Sequence, residues 1–397
     1  MKPRLLIILN RLAIGGPAMN TLALASKLSE QYEILLIAGE ALSHEHSADH
    51  LLNYYKGFKV LMVPEFTRDV FLWKDYKAYQ KIKSIIRDFA PQIVHTHGSK
   101  PGVLGRWAAH RLGVPVIIHT FHGHVFHSYF SSIVSRMIVA LERKLATYTD
   151  IIVAINSQLQ HDLISTYRIA DESKILLSPL GIDLEFYKQT SGADMREKIR
   201  NDFKLNNEEI AVVVIGRLVP VKHHQLFIQI ASKIIKEYPH IPFRFFLVGD
   251  GPERERLIAL AKVAEIKFSV GVSFDPGSQM HFLLWRKDIP ALLSGMDILL
   301  HTSLNEGTPV SILEAMAMGK PVVATPVGGI SGIINTSGAG FTSFNPKELT
   351  QNLILLATHP DIRKIMGEKG KLYIQQKASI EKQAVMLANR MKGMTLA

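Results

Sequence analysis

The chain has 397 residues, no cysteine, 47% hydrophobic and 20% charged side chains, and a formal net charge of +11. This much apolar surface excludes a disordered chain, and the length exceeds one ordinary core, so two domains are expected. Without cysteine there is no disulfide framework, thiolate nucleophile or cysteine-ligated metal, which makes a reducing compartment, the cytoplasm, the expected home.

The first apolar run, Leu5 to Leu9, ends at Asn10 and Arg11. It is too short for a signal peptide, and no apolar stretch reaches the roughly 18 residues of a membrane span. A soluble or surface-bound protein is expected. The runs Arg4 to Leu9, Tyr32 to Ala38, Lys59 to Val63, Ile93 to His97, Val116 to Thr120 and Ile151 to Ile155 read as buried parallel strands separated by crossover helices. The basic excess is concentrated among them: between Lys56 and Arg111 eleven Lys and Arg stand against four Asp and Glu. Such a patch suits a phospholipid surface, a phosphate-bearing substrate or nucleic acid, and equally a solvated face. Within it, Phe71, Trp73, Lys74, Tyr76, Lys77, Tyr79, Lys81 and Lys83 would suit an anionic membrane or, in part, a helix core.

The segment Leu184 to Asn207 is polar and without alternation, so the domain boundary is expected near Lys188, giving domains 1–188 and 189–379. The strand rhythm restarts at Ala211 to Ile215 and continues through Phe243 to Val248, Ile298 to His301 and Val322 to Thr325. A last helix over about 380–397 can pack back onto the first domain.

The densest chemistry lies in Glu306-Gly307-Thr308-Pro309-Val310-Ser311-Ile312-Leu313-Glu314, followed by an Ala-Met-Ala helix and Gly319-Lys320-Pro321-Val322-Val323. A strand ends in a polar turn, and Pro309 suits a first helical residue. The amides of Thr308, Val310 and Ser311 then form an anion site at the carboxyl end of a sheet. Glu306 and Glu314, eight residues apart, are poorly spaced for acid and base work on one atom. They suit acceptance of hydrogen bonds from hydroxyls at two ends of a ligand, a sugar and a ribose.

Together these residues resemble the retaining glycosyltransferases of family 4, which have the GT-B fold. The resemblance implies an α/β protein of two facing Rossmann-like domains with parallel sheets and an interdomain cleft, the N-terminal one for the acceptor and the C-terminal one for a nucleotide sugar such as a UDP- or GDP-sugar. The loop Val214 to Lys222 implies that Arg217 and Lys222, beside Gly216, hold the donor diphosphate and neutralise the leaving charge. Gly249 and Gly251, after the strand ending at Val248, read as donor contacts or as plain tight-turn glycines. Arg254 stands where a dinucleotide fingerprint would need a third glycine.

In the N-terminal half, Gly15 and Gly16 allow close approach of backbone to acceptor or donor, respectively. The resemblance assigns a functional histidine at His122, with His119, His124 and His127 nearby, to a sugar hydroxyl or proton transfer. The run His95 to Arg106 is similar to bacterial members that build surface polysaccharide or glycolipid, with Lys100 and Arg106 toward an acceptor phosphate or simply on the surface. Arg286 lies in a segment similar to that beside the base, although Leu284 stands where glycine is usual and an atypical insert covers Asp275 to His281.

There is no Asp-x-Asp, so neither a metal nor a cofactor is expected. The implied activity is transfer of a hexose from a nucleotide sugar to a lipid-linked or other glycan, in the cytoplasm or at the inner face of the cell membrane. The rivals are a nucleotide-sugar epimerase of the same fold and a non-catalytic protein that binds anions or nucleic acid, the last not expected given the paired glutamates.

Overall fold

The computed structural model describes residues 2–42, 45–66, 72–123, 131–189, 192–271 and 275–395. Phe71, His124 and His127 lie outside them. The chain divides into two compact units, Met1–Gly181 with Ala378–Ala397, and Ile182–Lys377. The division precedes Lys188 because the polar segment is not a bare linker. Leu184–Lys188 and Ala193–Asp202 are helices of the second unit, the latter packed on the helix Ile289–Gly295.

In the first unit the strands are β1 (Arg4–Arg11), β2 (Glu33–Gly39), β3 (Lys59–Met62), β4 (Ile93–His97), β5 (Val116–Phe121), β6 (Ile151–Ala154) and β7 (Ile175–Leu177). They form one sheet in the order β3-β2-β1-β4-β5-β6-β7, parallel at every pair. Leu5 to Ile8 are fully buried, as a central parallel strand covered on both faces requires. One face carries the helices Leu72–Phe89 and Ser99–Arg111, whose Ala78, Ile82, Ala108 and Ala109 close a core over Leu6, Ile8 and Val94. The last helix, Ile380–Thr395, belongs to this unit. Gln383 Oε1 accepts from Asn20 Nδ2 at 2.7 Å and from the Gly181 amide at 2.8 Å, which fastens it beside the helix Gly16–Leu28.

The second unit has β8 (Ile210–Ile215), β9 (Phe243–Val248), β10 (Phe268–Val270), β11 (Met280–Leu284), β12 (Ile298–His301), β13 (Val322–Ala324) and β14 (Gly340–Thr342). Their order is β10-β11-β9-β8-β12-β13-β14, again parallel throughout. Part of the segment read as an atypical insert is therefore the start of β11. Leu284, standing where glycine is usual, has φ 54°. It adopts the left-handed conformation that glycine enters without steric cost.

The strand order reverses between β1 and β4 in the first sheet and between β8 and β12 in the second. At such a reversal the adjacent crossovers leave in opposite directions and open a crevice at the carboxyl ends of the strands. The loops after β1, β4, β8 and β12 are therefore the positions to search for a site.

Candidate active site

In the second unit the reversal brings two loops together. After β8, Arg217 is exposed and its guanidinium has no partner among the described residues, while Lys222 turns inward. After β12 comes Glu306, whose Oε1 accepts from Lys222 Nζ at 2.5 Å, Ser303 Oγ at 2.6 Å and His301 Nε2 at 3.0 Å. Burial alone would raise the Glu306 pKa. The hydrogen bond from His301 and the Lys222 charge outweigh it and hold the carboxyl at about 2. All three donors sit on one oxygen, which leaves Oε2 for a ligand.

Hydroxyls and carbonyls tie the two loops into one body. Thr302 Oγ1 donates to Lys222 O at 3.2 Å, and Thr325 Oγ1 donates to Ser303 O at 2.6 Å. Buried His224 meets Arg217 O through Nε2 at 3.2 Å, and burial takes its ring down to about 4. The Gly329 amide donates to Gly307 O at 2.8 Å. At Gly328, φ 56°, a Cβ would lie 1.9 Å from Glu306 O, so the backbone approach there admits only glycine.

The helix Val310–Ala317 begins one residue later than the sequence suggests. Pro309 is its N-cap, with ψ 119°, outside the helical region. Val310 and Ser311 thus supply first-turn amides, which a helix cannot satisfy internally, and Gly307 and Thr308 complete the turn. Glu314 lies well inside this helix, 4% exposed, and its Oε1 accepts from Tyr187 Oη at 2.6 Å. Burial raises Glu314 to about 6 against the opposing effect of that hydrogen bond.

Glycine at 249 has a packing cause, since a Cβ there would fall 1.9 Å from Gly216 O; at Gly251 it would meet Leu218 O at 2.5 Å. Both turns seat the loop after β8. Arg286 is held by Asp288 through two contacts, at 2.9 and 2.5 Å, and lies over the Phe203 ring.

In the first unit, Gly15 caps the helix that begins at Gly16, and a Cβ on Gly15 would meet nothing within 4 Å. Across the strand reversal, His97 ends β4 and His122 follows β5. His97 Nδ1 lies 3.0 Å from His122 Nε2 and 3.4 Å from Thr21 Oγ1. The Thr21 hydroxyl gives its proton to Pro17 O at 2.7 Å, so His97 Nδ1 is the donor and His122 carries its own proton on Nδ1. Burial takes His122 down to about 4, and burial with the His122 charge takes His95 to about 3. His119 faces away from this group. Its Nδ1 meets Thr96 Oγ1 at 2.9 Å, and Gly102 packs on its ring, so His122, not His119, adjoins the reversal.

Two expected acceptor contacts are corrected. Arg106 is fully buried. It donates to Glu142 Oε2 at 2.7 Å and to Gly102 O at 2.6 Å, because the small residues Gly102 and Gly105 draw its helix onto the sheet. Lys100 Nζ, 11% exposed, donates to Asp75 Oδ1 at 2.6 Å. Neither presents a free cation toward a ligand.

Sequence reasoning missed His97, Tyr187, His301 and Ser303. The signal for His301 and Ser303 was their place at the end of β12. For Tyr187, which meets Glu314 across 127 positions, nothing local pointed to the contact. Among the described residues no group of three His, Asp or Glu is arranged to hold a metal, and no helix is long and apolar enough to cross a membrane.

Residues 14–186 match the family model described as Glycosyltransferase Family 4, and residues 195–373 that of Glycosyl transferases group 1. An Escherichia coli UDP-Gal:alpha-D-GlcNAc-diphosphoundecaprenol alpha-1,3-galactosyltransferase is 29% identical, the match covering 86% of this chain and 84% of that one. A glycosyltransferase from Rickettsia africae has the same fold, with TM-score 0.78 and 18% identity over 99% of both chains. So does Anabaena HepE, solved with UDP-glucose, with TM-score 0.76 and 18% identity over 98% of this chain and 99% of that one. The architecture is GT-B.

Proposed function

Because the chain belongs to glycosyltransferase family 4, we propose that it is a retaining hexosyltransferase that takes a sugar from a nucleotide-sugar donor and needs no metal. The observation that carries this reading is the pairing of Lys222 with Glu306, with Arg217 exposed on the same loop as Lys222, where the strand order of the second sheet reverses. Arg217 and Lys222 receive the diphosphate of the donor, the first-turn amides at Val310 and Ser311 add dipoles of the same sense, and Glu306 Oε2 accepts from sugar hydroxyls. Glu314 serves the ribose. Lys222 is stored on Glu306, so an arriving diphosphate competes for a cation that is already in place.

In the reaction the bond from the anomeric carbon to the phosphate oxygen breaks as the acceptor oxygen bonds to the same face. The acceptor hydroxyl proton passes to the leaving phosphate. Arg217 and Lys222 stabilise the charge that grows there. His122, which offers Nδ1–H, is a donor to a sugar hydroxyl or phosphate oxygen.

For the acceptor, the Escherichia coli relative is named for a diphosphoundecaprenol-linked sugar, and HepE was solved with UDP-glucose. These favour a UDP-sugar and a lipid-linked glycan, handled at the cytoplasmic membrane face. Exposed apolar side chains on two helices of the first unit, one of them rich in lysine, support contact with anionic lipid. Trp73 and Tyr76 are 68% and 54% exposed, with Lys77 over the Trp73 ring. On the helix Ser132–Ala146, Ile133 and Met137 are 66% and 68% exposed.

UDP-galactose, UDP-glucose and GDP-mannose, each with undecaprenyl-diphosphate-linked N-acetylglucosamine and with EDTA present, test the reading. Transfer from one of them with retained configuration is expected. Conversion of a donor without acceptor would mean an epimerase. If no donor is used and none stabilises the protein, the reading fails.

A further inference from the structure

Tyr187 and Glu314 are separated by 127 positions, yet both are 4% exposed and the hydroxyl lies 2.6 Å from Oε1. The tyrosine sits on the short helix Leu184–Lys188, held in place by Asp183, whose Oδ1 accepts from the Glu185 and Phe186 amides at 3.1 and 3.3 Å. A buried phenol on a capped helix has little freedom, so its hydroxyl is a fixed donor. A carboxylate whose one oxygen is held has its plane and its second oxygen aimed.

We propose that Tyr187 is a positioning residue for the nucleotide ribose: it fixes Glu314 through Oε1, so that Oε2 is the oxygen that accepts from a ribose hydroxyl. This rests on the reading that Glu314 serves the ribose.

Tyr187 also governs the charge on Glu314, because the other charged groups near this helix are committed elsewhere. Around the helix Val310–Ala317 pack β12, β13 and the helix Pro360–Lys377. From β12, His301 is turned to Glu306, and β13 is apolar. The helix Pro360–Lys377 comes close through Gly367 and Gly370, its Lys369 and Lys371 lying against Gly338 and Gly319. On the helix of Tyr187 itself, exposed Lys188 and Glu185 pair with each other. Burial raises Glu314 to about 6 even with the phenol bonded to it. Removing the hydroxyl leaves burial unopposed and moves the titration higher.

The test is Tyr187→Phe in the full chain, which keeps the ring and removes one oxygen. UDP, GDP and ADP are titrated calorimetrically, and the tightest binder is followed from pH 5.5 to 8.5 in wild type, Tyr187→Phe and Glu314→Ala. Comparison at equal pH cancels titration of the nucleotide itself. In Tyr187→Phe the affinity is expected to be about threefold weaker near pH 6.5 and nearly tenfold weaker at pH 5.5, as for a one-unit shift, and to converge on wild type by pH 8.5. The preference of wild type for the ribonucleotide over its 2′,3′-dideoxy analogue is expected to shrink in both variants.

If Glu314→Ala binds as wild type does, or no nucleotide binds, the ribose reading is wrong and the proposal falls with it. If Glu314→Ala loses affinity and ribose preference while the pH profile and ribose preference of Tyr187→Phe superpose on wild type, the ribose reading stands and the role of Tyr187 is refuted. A uniform loss at every pH with intact ribose preference would likewise refute it, since that marks a packing role alone.

Discussion

The two strand reversals handle buried titratable groups in opposite ways. At the first, His95, His97 and His122 lie ring to ring, His95 and His97 with centroids 4.1 Å apart and His97 and His122 5.2 Å apart, and burial keeps them neutral. At the second, Glu306 is ionised and compensated by Lys222, with His301 and Ser303 on the same oxygen. A neutral cluster supplies directional hydrogen bonds without fixed charge and is vulnerable to protons. A compensated ion pair keeps its charge over a wide pH range and is vulnerable to loss of a partner.

Acid gives the largest expected separation between the two. Histidines depressed in the fold bind fewer protons than in the unfolded chain, so their stabilisation is present above the unfolded value of 6.5 and is lost as pH falls toward the folded values, about 4 for His122 and about 3 for His95. At pH 5 this amounts to about 2 kcal/mol for each such ring. Glu306, depressed from 4.5 to about 2, loses its contribution only below 4.5. Urea unfolding followed from pH 7.5 to 5 should show a steep fall, flattened by His95→Gln. A profile identical in the variant would contradict the assignment of neutral rings.

The first unit also holds a buried ion pair, Arg106–Glu142, and breaking it tests whether a fixed charge there depends on its partner. Arg106→Met should cost about 3–5 kcal/mol by chemical denaturation, with much of the loss recovered in the double variant with Glu142→Leu. Equal losses in single and double variants would mean that packing, not the stranded carboxylate, sets the cost.

At the second reversal, Lys222→Ala should lower kcat about 10²–10³-fold, the magnitude of one lost donor to a developing oxyanion. Arg217→Ala should approach that figure if the two cations share the leaving diphosphate. A change in KM alone would assign Lys222 to binding.

The smallest effect is expected at Leu284. Relief of a left-handed backbone is worth roughly 1–2 kcal/mol, and the extra entropy of an unfolded glycine opposes it by about 0.5–1. Leu284→Gly should therefore raise stability by no more than about 1.5 kcal/mol, read as a shift in the denaturation midpoint.

Much of the fold was legible because a central parallel strand is buried on both faces and must be written in consecutive apolar residues, as Leu5 to Ile8 and Val212 to Val214 are. The strands that escaped notice, β7, β10 and β14, have three residues each and lie at or next to a sheet edge, and no residue of β10 or β14 is buried. β11 was hidden by the unusual chemistry around it. The segment from Glu306 to Glu314 could be read from its residues alone because its chemistry is local: a turn, a cap and a helix start within ten positions.

By itself, the sequence determined that this is a two-domain α/β chain and that Glu306, Glu314, Arg217 and Lys222 belong to loops and a helix start following strands. The tertiary structure decided what each of them touches. It put Lys222 on Glu306 and Tyr187 on Glu314, placed His122 rather than His119 beside the first reversal, and withdrew Arg106 and Lys100 into ion pairs. Such outcomes depend on strand order and on which face of a helix meets the sheet. Those are contacts between residues dozens to more than a hundred positions apart, and no local pattern of residue types encodes them.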